Sequence, residues 1–150
     1  MRIRTVLLTA AMAAGTLFAG VGPAAAAQPA PAAALGGIGT YNLTVRTGDL
    51  LNADTEDAVR FAVQGTESWA PSFRIDRDFR RGETVTFGAY RWPSVGTVTS
   101  VTVQKSAQER DAWYVEYVQV HDEHTGRVYH CEIGEWIQQR DSKQHKYTCV

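Results

Sequence analysis

The chain has 150 residues, of which 44% are hydrophobic and 21% are charged, and its formal net charge is −1. A length of this order suffices for one domain with a modest core. Because the 15 basic residues are scattered among 16 acidic ones, the composition supports neither nucleic-acid binding nor attraction to anionic lipid by bulk charge.

The first 27 residues have the three parts of a secretory signal peptide. Arg2 and Arg4 form a positive start, residues 6–22 are apolar, and Ala25–Ala27 supply small residues before a cleavage site at Gln28. A membrane anchor is the alternative, but an apolar run rich in Ala and Gly disfavours a stable span. Loss of the two arginines leaves 13 basic residues against 16 acidic ones and changes the net charge from −1 to −3. We therefore expect a secreted, extracellular protein with no transmembrane segment in the mature chain.

A spacer rich in Pro, Ala and Gly covers residues 28–38 and precedes a predicted domain over residues 39–150. In this domain apolar and polar residues alternate, which is the period of a strand with one buried face. The alternating segments are 41–46, 59–64, 84–90, 99–105, 113–120 and 127–133. Turn residues separate them, and no segment holds a helical period over more than two turns. The sequence predicts an all-β fold, an antiparallel sandwich or barrel of six to eight short strands.

Two cysteines, Cys131 and Cys149, lie in the last fifth of the chain. In an extracellular protein an even pair predicts a disulfide. Seventeen residues separate them, and closing such a loop stabilises a fold by about 3 kcal/mol. We expect this bridge to tie the polar segment 138–146 to the body of the domain. A redox-active pair is the disfavoured alternative, since no Cys-x-x-Cys spacing is present.

Five segments, taken in order, resemble parts of PLAT/LH2 domains. They are Tyr41–Asp49, Ala53–Val59, Val95–Val103, Asp111–Val115 and Cys131–Ile137. The first is similar to the family's opening strand and its Thr-Gly-Asp turn, the second to its Ala-Gly-Thr-Asp segment, and the third to its Leu-Gly-x-Leu strand. The fourth is similar to the Trp-aromatic start of a later strand, and the last to the closing aromatic-x-Cys-x-x-Trp-Leu segment. The resemblance implies a sandwich of two four-stranded sheets, non-catalytic, that attaches to lipid surfaces or to protein partners.

The connection between the first two predicted strands is acidic. Its carboxylates are Asp49, Asp54, Glu56 and Asp57. Hard oxygen ligands clustered in one loop suit Ca²⁺, and the resemblance implies that Asp111 approaches the same end of the domain. Asp54 stands where the family has Gly, and Glu56 where it has Asp, which weakens the transfer of ligands. A calcium loop and a solvated turn are both compatible with this segment.

Aromatic residues in predicted loops are candidate contact residues. Trp69 and the segment Tyr90–Pro93 place indole and phenol rings between strands. Such rings suit a membrane interface, where one side is apolar and the other is wet. We predict Trp69, Tyr90 and Trp92 as membrane or partner contacts, with packing over the end of the sandwich as the alternative. Trp113 and Trp136 occupy motif positions in strands and are predicted to lie in the core, and the segment beginning at Trp113 is predicted to be a central, bulged strand.

Arginines in the segment 74–81 alternate with acidic residues, which favours a solvated edge or loop. If Arg77, Arg80 and Arg81 share a face, they are predicted to meet phosphate headgroups near Trp92.

Histidines raise the possibility of a metal site or of catalysis. His121, His124 and His130 lie close together in the sequence, but zinc binding needs three or four converging ligands. No Gly-x-Ser-x-Gly nucleophile motif is present.

The leading prediction is a secreted, non-catalytic module that docks on a lipid surface or a protein partner, with Ca²⁺ as an assisting ion. A protein-interaction or inhibitor module without lipid affinity is the second hypothesis. A small secreted hydrolase that depends on His121 or His124 is the third.

Overall fold

The structure, a computed structural model, describes residues 37–106, 111–138 and 144–150. The predicted signal peptide and the spacer as far as residue 36 lie outside the described residues. The described strands are β1 (Ile38–Thr47), β2 (Val59–Gly65), β3 (Phe73–Ile75), β4 (Thr84–Pro93), β5 (Val98–Lys105), β6 (Trp113–Asp122), β7 (Arg127–Ile137) and β8 (His145–Thr148). Alternation did not reveal β3 and β8, because three and four residues are too few to establish a period.

The eight strands form two four-stranded sheets with the orders β4-β1-β6-β7 and β3-β2-β5-β8. Neighbouring strands run antiparallel in both sheets. This arrangement confirms the predicted all-β antiparallel sandwich. In the part of the chain that the structure describes, no helix is long and apolar enough to cross a bilayer.

The core lies between the two sheets and is built from alternate residues. Every second residue is buried along β1 from Gly39 to Thr47 and along β2 from Val59 to Val63. The inward side chains of both sheets belong to one hydrophobic cluster. Burial of each large apolar side chain stabilises the fold by about 1.5–3 kcal/mol, so this alternation explains why the sheets pack face to face.

Strand β6 lies between β1 and β7 and contains a bulge between Val115 and Tyr117. Val115 and Val118 are both buried although three positions separate them. The bulge therefore shifts the inward phase of the strand by one residue. This confirms the predicted central, bulged strand.

The two tryptophans predicted in the core have different environments. Trp113 is 0% exposed, and its Nε1 donates a hydrogen bond of 3.1 Å to Thr47 Oγ1. Trp136 is 36% exposed and packs only edge-on against Tyr114, at 5.3 Å between ring centroids. The prediction was therefore wrong for Trp136. The buried residues of β7 are Tyr129, Cys131, Ile133 and Ile137. Trp136 is on the opposite phase of the strand, so it faces away from the core.

The predicted disulfide joins Cys131 to Cys149. Cys131 lies on β7 in the first sheet and Cys149 directly follows β8 in the second, so the bridge links the two sheets. Beside it, His130 and Val150 exchange two backbone hydrogen bonds of 2.9 Å. The bridge thus holds the last residues of the chain against β7; residues 139–143 of the polar segment lie outside the described residues.

Candidate functional site

The first loop (residues 48–58) connects β1 to β2 and carries the four predicted calcium ligands. Asp49, Asp54 and Glu56 are exposed, whereas Asp57 is buried. Asp49 accepts a hydrogen bond of 2.7 Å from Arg81 Nε. Over residues 37–106, 111–138 and 144–150, no three His, Cys, Asp or Glu side chains are grouped closely enough to hold a metal ion. The four predicted ligands therefore do not converge on one point.

The buried Asp57 carboxylate belongs to an ion-pair cluster with Lys105 and Asp111. Lys105 is the last residue of β5, and its Nζ donates to Asp57 Oδ2, to Asp111 Oδ1 and, at 2.8 Å, to the Asp111 carbonyl oxygen. Its side chain is 0% exposed. Burying an ammonium is strongly unfavourable unless its hydrogen bonds are made, and here all three N–H donors have an oxygen partner.

The same cluster determines the ionisation of Asp111. Partial burial raises the pKa of Asp111, but hydrogen bonds from Lys105 and Thr55 and the charge of Lys105 outweigh burial, so the pKa lies below its ordinary value. The backbone N–H of Glu56 also donates to Asp111 Oδ2 at 3.3 Å. Asp111 therefore remains a carboxylate and connects the start of β6 to the first loop.

Sequence reasoning missed Lys105 as a member of this site, although a signal was present. Val101 and Val103 are inward-facing residues of β5, and Lys105 continues their phase. A lysine on the buried phase of a strand requires an acidic partner. Asp57 and Asp111 are the partners here.

The arginine loop (residues 76–83) lies beside the first loop. Arg81 reaches Asp49, and the Gly82 N–H donates to the Gly48 carbonyl oxygen at 3.1 Å. Trp92 lies near the other end of β4, which at about 3.4 Å per residue is some 30 Å long. The arginines therefore do not lie near Trp92, and this part of the headgroup prediction was wrong.

Glu83 holds the arginine loop together. Arg77 Nη2 donates to both carboxylate oxygens of Glu83, at 2.8 and 3.0 Å. The hydrogen bond from the Arg80 backbone N–H lowers the pKa of Glu83, burial opposes this effect, and Arg77 lowers the pKa further, so the net shift is downward. Arg77 and Arg81 are engaged in local ion pairs, as expected for a solvated loop.

We expect Glu83→Gln to remove a small, acid-sensitive part of the stability. Because the folded-state pKa of Glu83 lies below its ordinary 4.5, the stabilisation is present above that pH and is lost as the pH falls below it. The Arg77 and Glu83 side chains are 35% and 31% exposed, so the loss is about 0.5–1 kcal/mol. Urea unfolding should separate wild type from variant at about pH 7, and the difference should shrink as the pH is lowered towards about 3. An undiminished difference at acid pH would contradict this role.

The segment Tyr90–Pro93, predicted as a loop, belongs to strand β4. Trp92 is 7% exposed and stacks on Tyr41, with 5.2 Å between ring centroids. Tyr90 is half-buried and lies 4.4 Å from the Phe73 ring. The structure thus places Trp92 in the core and Tyr90 against it, which is the alternative that the sequence left open.

A bulge in β4 explains why these two rings point inward. Val85 and Phe87 face the core side, and the register then shifts opposite Tyr41–Leu43. Ala89 has φ 60°, in the left-handed region, and its N–H donates to Asn42 Oδ1 at 2.9 Å. The extra residue changes the phase, so even-numbered positions face the core beyond the bulge.

Trp69 has the opposite environment: it is 67% exposed. It lies on the Trp69 turn (residues 65–70), which follows β2. The Gly65 N–H donates to the Ser68 carbonyl oxygen at 2.9 Å, and the Ala70 N–H donates to the Val63 carbonyl oxygen at 2.7 Å. Of the three predicted contact aromatics, Trp69 alone is presented to solvent on a hydrogen-bonded turn.

The three histidines near the β6–β7 turn do not form a metal centre. Asp122 accepts hydrogen bonds from the backbone N–H groups of His124, at 2.9 Å, and Thr125, at 3.4 Å, which shapes the turn. His130 lies within 2.9 Å of Glu132 on the outer face of β7. Asp122 therefore serves to form the turn, and His130 and Glu132 pair on the surface of the strand.

A sequence profile of the PLAT/LH2 domain matches residues 41–150. The chain belongs to the PLAT/LH2 family. The match extends from β1 to the C-terminus and confirms the resemblance drawn from the sequence segments. No curated protein matches this PLAT chain.

Solved structures share the sandwich of this PLAT domain. A coral 8R-lipoxygenase, whose structure is described as showing calcium activation via a C2-like domain, aligns with a TM-score of 0.64 and 20% identity over 75% of this chain and 17% of its own. A calcium-dependent 11R-lipoxygenase aligns with a TM-score of 0.59 and 26% identity, over 74% of this chain and 17% of its own. Alpha toxin from Clostridium absonum gives a TM-score of 0.59 and 18% identity, over 77% of this chain and 32% of its own. The PLAT chain therefore spans less than a third of the length of these proteins.

Proposed function

We propose that this PLAT domain is an exported, non-catalytic module that docks on a lipid surface through the indole of Trp69. The observation that carries the proposal is the 67% exposure of Trp69, whereas Trp92 and Trp113 are buried and Trp136 is 36% exposed. An exposed indole is a large apolar surface with a polar N–H, which is the combination enriched at membrane interfaces.

The Trp69 turn is organised in advance of any contact. Besides its own hydrogen bonds, the turn receives support from the segment after β4, since Thr66 and Glu67 donate to the carbonyl oxygens of Thr97 and Val95 at 2.9 and 3.1 Å. Ala70 anchors the turn in the core at 0% exposure. Because little backbone ordering remains to be done on docking, more of the contact energy contributes to affinity.

Charge favours docking by apolar contact rather than by attraction to anionic headgroups. The formal net charge of the chain is −1, and it would fall to −3 with the loss of Arg2 and Arg4. Two of the three basic residues of the arginine loop, Arg77 and Arg81, are already paired with Glu83 and Asp49. We therefore expect binding to zwitterionic vesicles that changes little with salt or with added anionic lipid.

Co-sedimentation with phosphatidylcholine vesicles tests the proposal. Wild type should pellet with the vesicles, and Trp69→Ala should weaken binding about tenfold or more, since burial of a large apolar side chain contributes about 1.5–3 kcal/mol. Leu51→Ala is the matched control: Leu51 is 76% exposed but lies on the first loop, at the opposite end of β2. Equal binding by wild type and Trp69→Ala, or no vesicle binding by wild type, would contradict lipid docking through this turn.

A further inference from the structure

The buried cluster of Asp57, Lys105 and Asp111 occupies the end of the sandwich where calcium was expected. The oxygen atoms gathered there belong to two carboxylates and a backbone carbonyl group, and such hard oxygen ligands are the ones that Ca²⁺ prefers. They surround an ammonium nitrogen. The residues present therefore do not fit a resident Ca²⁺ ion.

We propose that the Lys105 ammonium is a built-in cation that takes the place of Ca²⁺ and makes this PLAT domain independent of calcium. The three N–H donors of Nζ are satisfied by Asp57 Oδ2, Asp111 Oδ1 and the Asp111 carbonyl oxygen. An entering Ca²⁺ ion would compete for these same oxygens. The ammonium is tethered to β5, and its side chain is 0% exposed, so it is held in place among these oxygens.

The cluster also performs the organising role of a bridging ion. It connects the end of β5 to Asp57, just before β2, and to Asp111, just before β6. The Ser106 N–H donates to the Ala58 carbonyl oxygen at 2.8 Å beside it. The end of β5 and the start of β6 are thereby joined to the first loop, although Asp57 lies 48 residues from Lys105 in the sequence. This inference concerns the cluster of Asp57, Lys105 and Asp111 and does not rest on lipid docking by Trp69.

Calcium titration of the purified wild-type protein is the first test. We expect no saturable heat of binding up to millimolar Ca²⁺, the range in which extracellular calcium modules bind, with dissociation constants of about 10⁻⁴–10⁻³ M. The melting temperature should be the same in CaCl₂ and in EGTA. Saturable binding by wild type that Asp57→Asn abolishes would overturn the proposal.

Removal of the ammonium is the second test. Lys105→Ala removes the ammonium that lies between two carboxylates, so its melting temperature in EGTA should fall by roughly 10–20 °C. Millimolar Ca²⁺ should restore several degrees of that loss, and the variant should bind Ca²⁺ at least about tenfold more tightly than wild type.

The matched control is the double variant Lys105→Met with Asp57→Asn, which removes both buried charges of the pair. It should be more stable in EGTA than Lys105→Ala and should respond little to Ca²⁺. A folded Lys105→Ala variant without a calcium response would overturn the proposal. If Lys105→Ala does not fold, the wild-type titration and Asp57→Asn decide the question by themselves.

Discussion

Trp113→Ala is expected to lower the free energy of unfolding by about 3–5 kcal/mol. Trp113 is 0% exposed, and its ring packs against Phe79 and Phe61 at centroid distances of 4.8 and 6.5 Å. The substitution leaves a cavity between two sheets, and each sheet is stiffened by its own hydrogen-bond ladder, so the site cannot collapse easily. It also leaves the Thr47 hydroxyl, buried and paired with Nε1 at 3.1 Å, without this partner. Urea denaturation of wild type and variant measures the loss.

Trp136→Ala is the matched control for this prediction. The indole of Trp136 is 36% exposed and contacts Tyr114 on the outer face of the first sheet. Its removal leaves no closed cavity, and we expect a loss of about 1 kcal/mol or less. Equal losses for the two variants would show that both indoles contribute to the core, contrary to the structure.

Replacement of both cysteines, Cys131→Ala with Cys149→Ala, is expected to lower the free energy of unfolding by about 2–5 kcal/mol. The bridge spans a sequence separation of 18 and joins β7 of the first sheet to the residue that follows β8 of the second. Its loss enlarges the unfolded ensemble and releases the C-terminal residues from β7, where two backbone hydrogen bonds with His130 hold Val150. Both cysteines are changed together because a single replacement would leave a reactive thiol.

Reductant provides the control for the disulfide prediction. Thermal unfolding of wild type in dithiothreitol should match that of the double alanine variant, and the variant should not respond to the reductant. A wild-type melting temperature that is unchanged by complete reduction would contradict the stabilising role of the bridge.

Much of the fold was predictable from short segments of sequence. The alternation of Tyr41, Leu43 and Val45 with polar residues identifies β1, and the same pattern identifies β2 and β5. Such patterns can be recognised within one strand, because successive side chains of a regular strand point to opposite faces of the sheet. The burial of Trp136 was predicted from its motif position and not from this alternation, and that prediction was wrong.

The candidate site was less predictable, because its features depend on pairs of residues far apart in the chain. The side chain of Asn42 binds the backbone of Ala89, 47 residues away, and the associated bulge decides that Trp92 faces the core. Lys105 meets Asp57, 48 residues away. Asp57, which the sequence predicted as a calcium ligand, is therefore a partner of Lys105.

By itself, the sequence determined the family, the all-β class, the main strands and the disulfide, because each depends on local periodicity or on an ordered series of short motifs. Only the tertiary structure decided that Trp69 is exposed to solvent while Trp92 is buried, and that Lys105 pairs with Asp57 and Asp111. The physical reason is that bulges shift strand phase according to cross-strand partners, and buried charges take whichever opposite charge the packed sheets bring within hydrogen-bonding distance.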